Sequence, residues 1–253
     1  GAGQDLHLGP RRQGEGGMSG GTGIAAEAPA NTTLDLATLS VREANRALQA
    51  AEGGAFRLLH PGGRHALACG LHHPVSVAIE GHAGYYCAGM NQRAEVTVHG
   101  NAGTGLAENI MSGTVRVTGD ASQSAAATGH GGLVVIEGNA SARCGISMKG
   151  VDIVVGGNVG HMSAFMAQAG NLVVLGDAGP DLGDSIYEAR LFVRGTVARL
   201  GTDCIEKEMR PEHLAFLRDL LARAGMDAQP EEFRRYGSAR SLYHFKVDNA
   251  GAY

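Results

Sequence analysis

A glycine followed by a polar residue and then Ala or Val returns every 19 residues, at Gly81, Gly100, Gly119, Gly138, Gly157, Gly176 and Gly195. The units open GHAG, GNAG, GDAS, GNAS, GNVG, GDAG and GTVA, and the six full copies contain no insertion or deletion. Self-similarity at this period marks a solenoid, in which each unit buries its apolar residues only against its neighbours.

With the glycine as position 1, positions 16 and 18 are apolar in every copy: Val96/Val98, Val115/Val117, Val134/Ile136, Ile153/Val155, Leu172/Val174 and Leu191/Val193. A spacing of two puts both side chains on one face of a strand. Position 3 is Ala83, Ala102, Ala121, Ala140, Val159 and Ala178, and position 8 is Ala or Gly throughout. Small residues at both positions require a narrow bore. The composition agrees, with 40 glycines in 253 residues, 5% aromatics and no Trp. Stacked coils then pair their strands in parallel, about 4.8 Å apart. The left-handed hexapeptide helix needs an apolar residue at every sixth position, a period that does not fit here. The expected fold is an all-β solenoid, a right-handed parallel β-helix over residues 62–209. It includes an imperfect copy at 62–80, where Val77 and Ile79 take the apolar positions.

Solenoid ends need caps. Within 31–61, Ser40 with Glu43 forms a capping box that opens a helix over about 41–51. Short strands are expected at 56–59 and 65–69. Within 210–253, Pro211 opens a second helix with Leu214, Leu217, Leu220 and Leu221 on one face, and Gly225 stops it. The remaining tail carries Phe233, Tyr236, Tyr243, Phe245 and Tyr253, five of the chain's twelve aromatics. Two readings stay open for it: packing on its own domain, or clasping a partner through Arg235, Tyr236, Arg240, Tyr243 and Phe245. Residues 1–30, rich in glycine and without periodicity, read as a flexible leader.

Position 2 reads His82, Asn101, Asp120, Asn139, Asn158, Asp177 and Thr196. A ladder of ligands is one reading. The favoured one is structural, because Asn and Asp suit tight turns and bond along a stack. The seven repeat glycines are likewise corners, where the chain turns at positive φ or passes close to a neighbouring backbone. Cys87 and Cys144 share position 7 three coils apart, about 14 Å, too far for a disulfide. His72, His73, His82, His99, His130 and His161 scatter over the repeat without zinc-site adjacency. GISMKG (145–150) lacks phosphate-loop spacing. No catalytic, cofactor-binding or metal-binding residue emerges. A net charge of −4 leaves no basic footprint for nucleic acid. The absence of a signal peptide or an apolar span leads to an expected cytoplasmic location.

The motifs GHAGYYCAGM, ENIMSGTVRVTGDAS, CGISMKG, GNVGHMSAFMAQ and GDAGPDLGDSIYEARLFVRG, with the 19-residue period, resemble the GXGXG domain family. That family comprises the C-terminal β-helix of the glutamate synthase large subunit and its counterpart subunit in formylmethanofuran dehydrogenase and formyltransferase/hydrolase complexes. With the tail RRYGSARSLYHFKVDNAGAY, the chain looks most like the stand-alone β-helical subunit of glutamate synthase-like enzymes such as N-methylglutamate synthase, which acts in methylamine metabolism. The resemblance implies a non-catalytic scaffold in a hetero-oligomer. It would brace an amidotransferase-like subunit against a synthase subunit carrying FMN and an iron–sulfur cluster, and help form the ammonia or amine path. No cofactor is expected in this chain. Two alternatives stand: a subunit of a formyltransferase/hydrolase or formylmethanofuran dehydrogenase-type complex, and an independent carbohydrate-active β-helix, disfavoured by scattered carboxylates and missing Trp. The outward surface of the second coil, with Glu108, Asn109 and Arg116, is an expected resting place for a catalytic subunit.

Overall fold

The computed structural model describes residues 31–240 as a right-handed parallel β-helix. Its single sheet begins with β1 (Thr32–Asp35) and β2 (Gly54–Leu59), with α1 (Val41–Ala50) between them. It continues through β3 (Val75–Ile79), β4 (Glu95–Val98), β5 (Thr114–Val117), β6 (Leu133–Ile136), β7 (Lys149–Val155), β8 (Ala169–Val174) and β9 (Arg190–Val193). All these pairings are parallel, and Val77, Val96, Val115, Val134, Ile153, Leu172 and Leu191 stand in one row. A second row runs along the opposite wall, where Ala83, Ala102, Ala121, Ala140, Val159, Ala178 and Val197 bridge in parallel. Residues of both rows are buried in one continuous core, with Val197 partly buried against it.

Between these walls the chain rounds an arc that the sequence does not announce. Positions 6, 8 and 10 adopt left-handed φ in all six coils; in one coil these are Ser124, Ala126 and Thr128, at φ 59°, 55° and 55°. Most of these residues carry a Cβ, so each such conformation costs about 1 kcal/mol or more. Inter-coil bonding offsets that cost. The Ser124 and Thr128 amides donate forward to Ala142 O (3.0 Å) and Ile146 O (2.9 Å), and the Ala126 amide donates back to Leu106 O (2.7 Å). Alternating the peptide direction lets each coil bond to both neighbours, as buried backbone must. The segment 65–69, expected to be a strand, is the first of these arcs, with Ala66, Ala68 and Gly70 at positive φ. They precede Tyr86, Ala88 and Met90 by 20 residues, while Val77 precedes Val96 by 19, so the imperfect copy holds one extra residue after its arc.

The first coil has no predecessor, and α1 substitutes for one. Asn45 accepts from the Ala68 amide (2.9 Å) and donates to Ala66 O (2.7 Å), while Gln49 donates to Cys69 O (2.9 Å). Ala44 and Leu48 close the bore. The Ser40–Glu43 capping box is present.

The other end is closed by strands. β10 (Cys204–Lys207) pairs antiparallel with β11 (Arg234–Ser238), which lies between β9 and β10, antiparallel to both. α2 (Pro211–Ala224), ended by Gly225 at φ 67°, does its covering on the sheet's outer face. Leu217, Leu220, Leu221 and Ala224 pack with Phe233 over Val135, Val154, Val173 and Phe192, forming a second buried cluster. Arg116 on β5 donates to Ala224 O at 2.6 Å, a cation at the helix C-terminus where the dipole favours it.

Candidate functional site

The repeat corners are a built device. At each rung the side-chain oxygen of position 2 accepts the backbone N–H of the next position 2. The Asp120, Asn139, Asn158 and Asp177 amides donate to Asn101, Asp120, Asn139 and Asn158 Oδ1 at 2.7–2.9 Å. The ladder begins at His82 Nδ1 and ends on Thr196, whose amide and hydroxyl both donate to Asp177 Oδ1. Each rung crosses over the position 1 residue of the following coil. A Cβ on Gly119, Gly138, Gly157, Gly176 or Gly195 would strike that oxygen and the backbone of the glycine before it. Only Gly81 and Gly100 also need positive φ, at 132° and 159°. Close approach, more than turning, is what demands glycine here.

The ladder has a measurable acid limit. Hydrogen bonds from the Thr196 amide and then its hydroxyl hold the Asp177 carboxyl below its ordinary value. A depressed carboxyl contributes its stability above the unfolded pKa, about 3.9, and loses it as pH falls through the folded one. Asp177→Asn keeps an acceptor oxygen that does not titrate. The wild type is therefore expected to lose melting temperature relative to Asp177→Asn as pH falls below about 4. Parallel melting curves for the two proteins would contradict this.

The candidate partner residues are placed as follows. Tyr236 is only 2% exposed and sits in the main core, and Phe233 is buried beneath α2. Arg235 is half-buried, its Nε donating to Glu208 O at 2.9 Å. Arg240 is exposed and paired with Asp203. Tyr243 and Phe245 lie outside the described residues, as does the leader 1–30. On the second coil, Glu108 and Asn109 are half-buried, and Arg116 bridges Glu137 and α2.

The exposed side of the arcs carries residues that the repeat pattern does not single out. Tyr85 (52% exposed), Tyr86 (52%), Met90 (56%), Met166 (51%) and Tyr187 (42%) stand there at positions 5, 6, 10 and 12. Tyr and Met are among the residue types enriched at protein interfaces. The cue in the sequence is clearest at position 10, where Met90 and Met166 replace the Asn109, Thr128, Ser147 and Ser185 of the other coils.

The thiols are inert by environment. All four are free, and burial raises Cys87 and pushes Cys144 up to about 12. Among the described residues no group of three His, Cys, Asp or Glu is placed to hold a metal, and no helix is long and apolar enough to cross a membrane. An open groove of about 460 Å³ lies along Gly113, Gly132 and Gly150, with Asp152 and Arg223 on its side. Those two side chains pair with each other at 3.2 Å, so the groove presents no unpaired nucleophile or base.

No protein-family model matches the chain, and no solved structure does. Among curated proteins, it is 63% identical over 225 residues to Protein GlxC of Rhizobium meliloti (strain 1021), covering 87% of this chain and 99% of that protein. Identity at that level over most of both chains means that the chain belongs to the GlxC family.

Proposed function

We propose that this chain is the non-catalytic β-helical scaffold subunit of a glutamate synthase-like complex of the N-methylglutamate synthase type. It braces an amidotransferase-like subunit against a synthase subunit that carries FMN and an iron–sulfur cluster, and lines part of the amine path between them. The observation that carries this reading concerns where the motifs fall. GHAGYYCAGM and GNVGHMSAFMAQ, which resemble the glutamate synthase domain, are arcs, and their Tyr85, Tyr86, Met90 and Met166 are exposed. Tyr85 stacks on the His65 ring of the preceding coil, and exposed Tyr and Met are apt for a protein interface. The coil-on-coil ladder supplies the rigidity a brace needs. The GlxC relationship is consistent with the coarser part of this reading, a glutamate synthase-related subunit.

The test is affinity purification of the tagged chain from its native source. Co-elution of both an amidotransferase-like and a flavin-carrying chain is expected, with no flavin retained by the separated subunit. Tyr86→Asp together with Met166→Asp should abolish co-elution at an unchanged melting temperature, since both residues are about half exposed. Elution without those partners, or co-elution indifferent to the double substitution, would refute the reading.

A further inference from the structure

At the C-terminal end of the sheet, side chains of like charge are gathered on one face. Register places Lys207 of β10 opposite Arg235 of β11, and Arg235 opposite Phe192 of β9. Phe192 faces outward beneath α2. The two-residue alternation of a strand puts Arg190 on that same face. Its guanidinium lies 4.3 Å over the Phe216 ring, and its Nε donates to Asn171 Oδ1 at 2.8 Å. Phe216 is one turn along α2 from His213. Arg210, the N-cap of α2, donates its backbone N–H to His213 Nδ1 at 3.1 Å, which leaves Nε2 as that ring's donor.

Like charges directly opposed on neighbouring strands repel, and a helix N-terminus adds partial positive charge to the same place. Among the described residues, the acids at hand do not balance the group. Glu208 and Glu212 stand at the rim, 75% and 64% exposed, and both lie against Arg210. Asp152 on β7 is already held by Arg223 and Asn171. Lys207, Arg190, Arg235 and His213 are half-buried, behind that rim. Arg190 and Arg235 each bind the chain through Nε, and the two Nη groups of a guanidinium form a fork that matches an oxyanion edge.

We infer that this face, framed by β9, β11, β10 and the start of α2, is a binding site for a multivalent oxyanion, a phosphate or a dicarboxylate, gripped by Arg190, Arg235, Lys207 and Arg210 with His213 as an added donor. A ligand of this class neutralises a repulsion the fold otherwise carries. Titration behaviour agrees: burial, then Arg210 and Arg190, lower Arg235, and burial, then Arg235, lowers His213. Glu212 opposes the shift of His213, while Arg190 and Arg210 add to it.

The test is calorimetric titration of the full chain at low ionic strength with inorganic phosphate and, separately, malonate, against chloride at matched ionic strength. One site per chain with a sub-millimolar Kd is expected for at least one of the two probes, and which probe binds assigns the class. The double variant Lys207→Gln/Arg210→Gln should weaken it about tenfold or more, the worth of one charge-assisted bond. Arg57→Gln, on β2 at the far end of the sheet, should leave it unchanged. Saturation should raise the pKa of the His213 ring, followed by NMR and assigned through His213→Gln. The inference is overturned by binding no tighter than chloride, by equal losses in the Arg57→Gln and double variants, or by wild-type affinity in a folded double variant.

Discussion

Gly138→Ala is expected to lower the melting temperature by about 6–12 °C, corresponding to a loss of about 3 kcal/mol. A Cβ at this position falls inside contact distance of Asp120 Oδ1 and 2.8 Å from Gly119 O. That same Oδ1 accepts the Asn139 amide at 2.7 Å, so the methyl group occupies the path of a rung. Neither neighbour offers room. Gly119 is already crossed by Asn101, and a Cβ at Gly157 would meet Asn139 Oδ1 at 2.5 Å. The coils must separate locally, adding overpacking to an unmet backbone donor. Gly53→Ala, with nothing within 4 Å, is the matched control and should melt like wild type. A Gly138→Ala protein as stable as that control would show that the ladder does not dictate the glycine.

Phe192→Ala is expected to cost about 3–5 kcal/mol, the range for deleting a fully buried aromatic ring. Phe192 joins the outer face of β9 to α2, where it meets the Phe216 ring at a centroid separation of 6.2 Å. Its loss should therefore be unequal across the molecule. Amide exchange in 211–224 should accelerate more than exchange in β4 to β8, because α2 rests on this cluster while the coils keep their own ladder. Leu191→Ala, on the inner face one residue away, should instead weaken the stack. Uniform loss of protection in Phe192→Ala would contradict the separate outer core.

Much of the stack was legible because its contacts recur. Valines two apart at a fixed period define both the strand and its partner, and each coil repeats the statement. Both helices were legible locally, through Ser40 with Glu43 and through Pro211 with Gly225. The left-handed arcs were not. Ala126, Thr128 and Met166 have no preference for positive φ, and only hydrogen bonds to adjoining coils hold them there. The segment 65–69 misled for that reason, its alternating small apolar residues resembling a strand.

The position of α2 left a trace in the sequence that becomes meaningful only with the fold. Position 17 runs Thr97, Arg116, Val135, Val154, Val173, Phe192, polar where the sheet faces water and apolar where the helix lies. Nothing in Arg234–Ser238 itself says that it will lie between β9 and β10, or that Arg235 will face Lys207.

By itself, then, the sequence determined the coil and its register, since a period of 19 makes every unit's neighbour a copy of itself, and the two helices through their local start and stop signals. Tertiary structure alone decided where the non-repeating tail docks, which face remains exposed and which charges meet. Those contacts join segments far apart in the chain, and each occurs once, so no repetition records them.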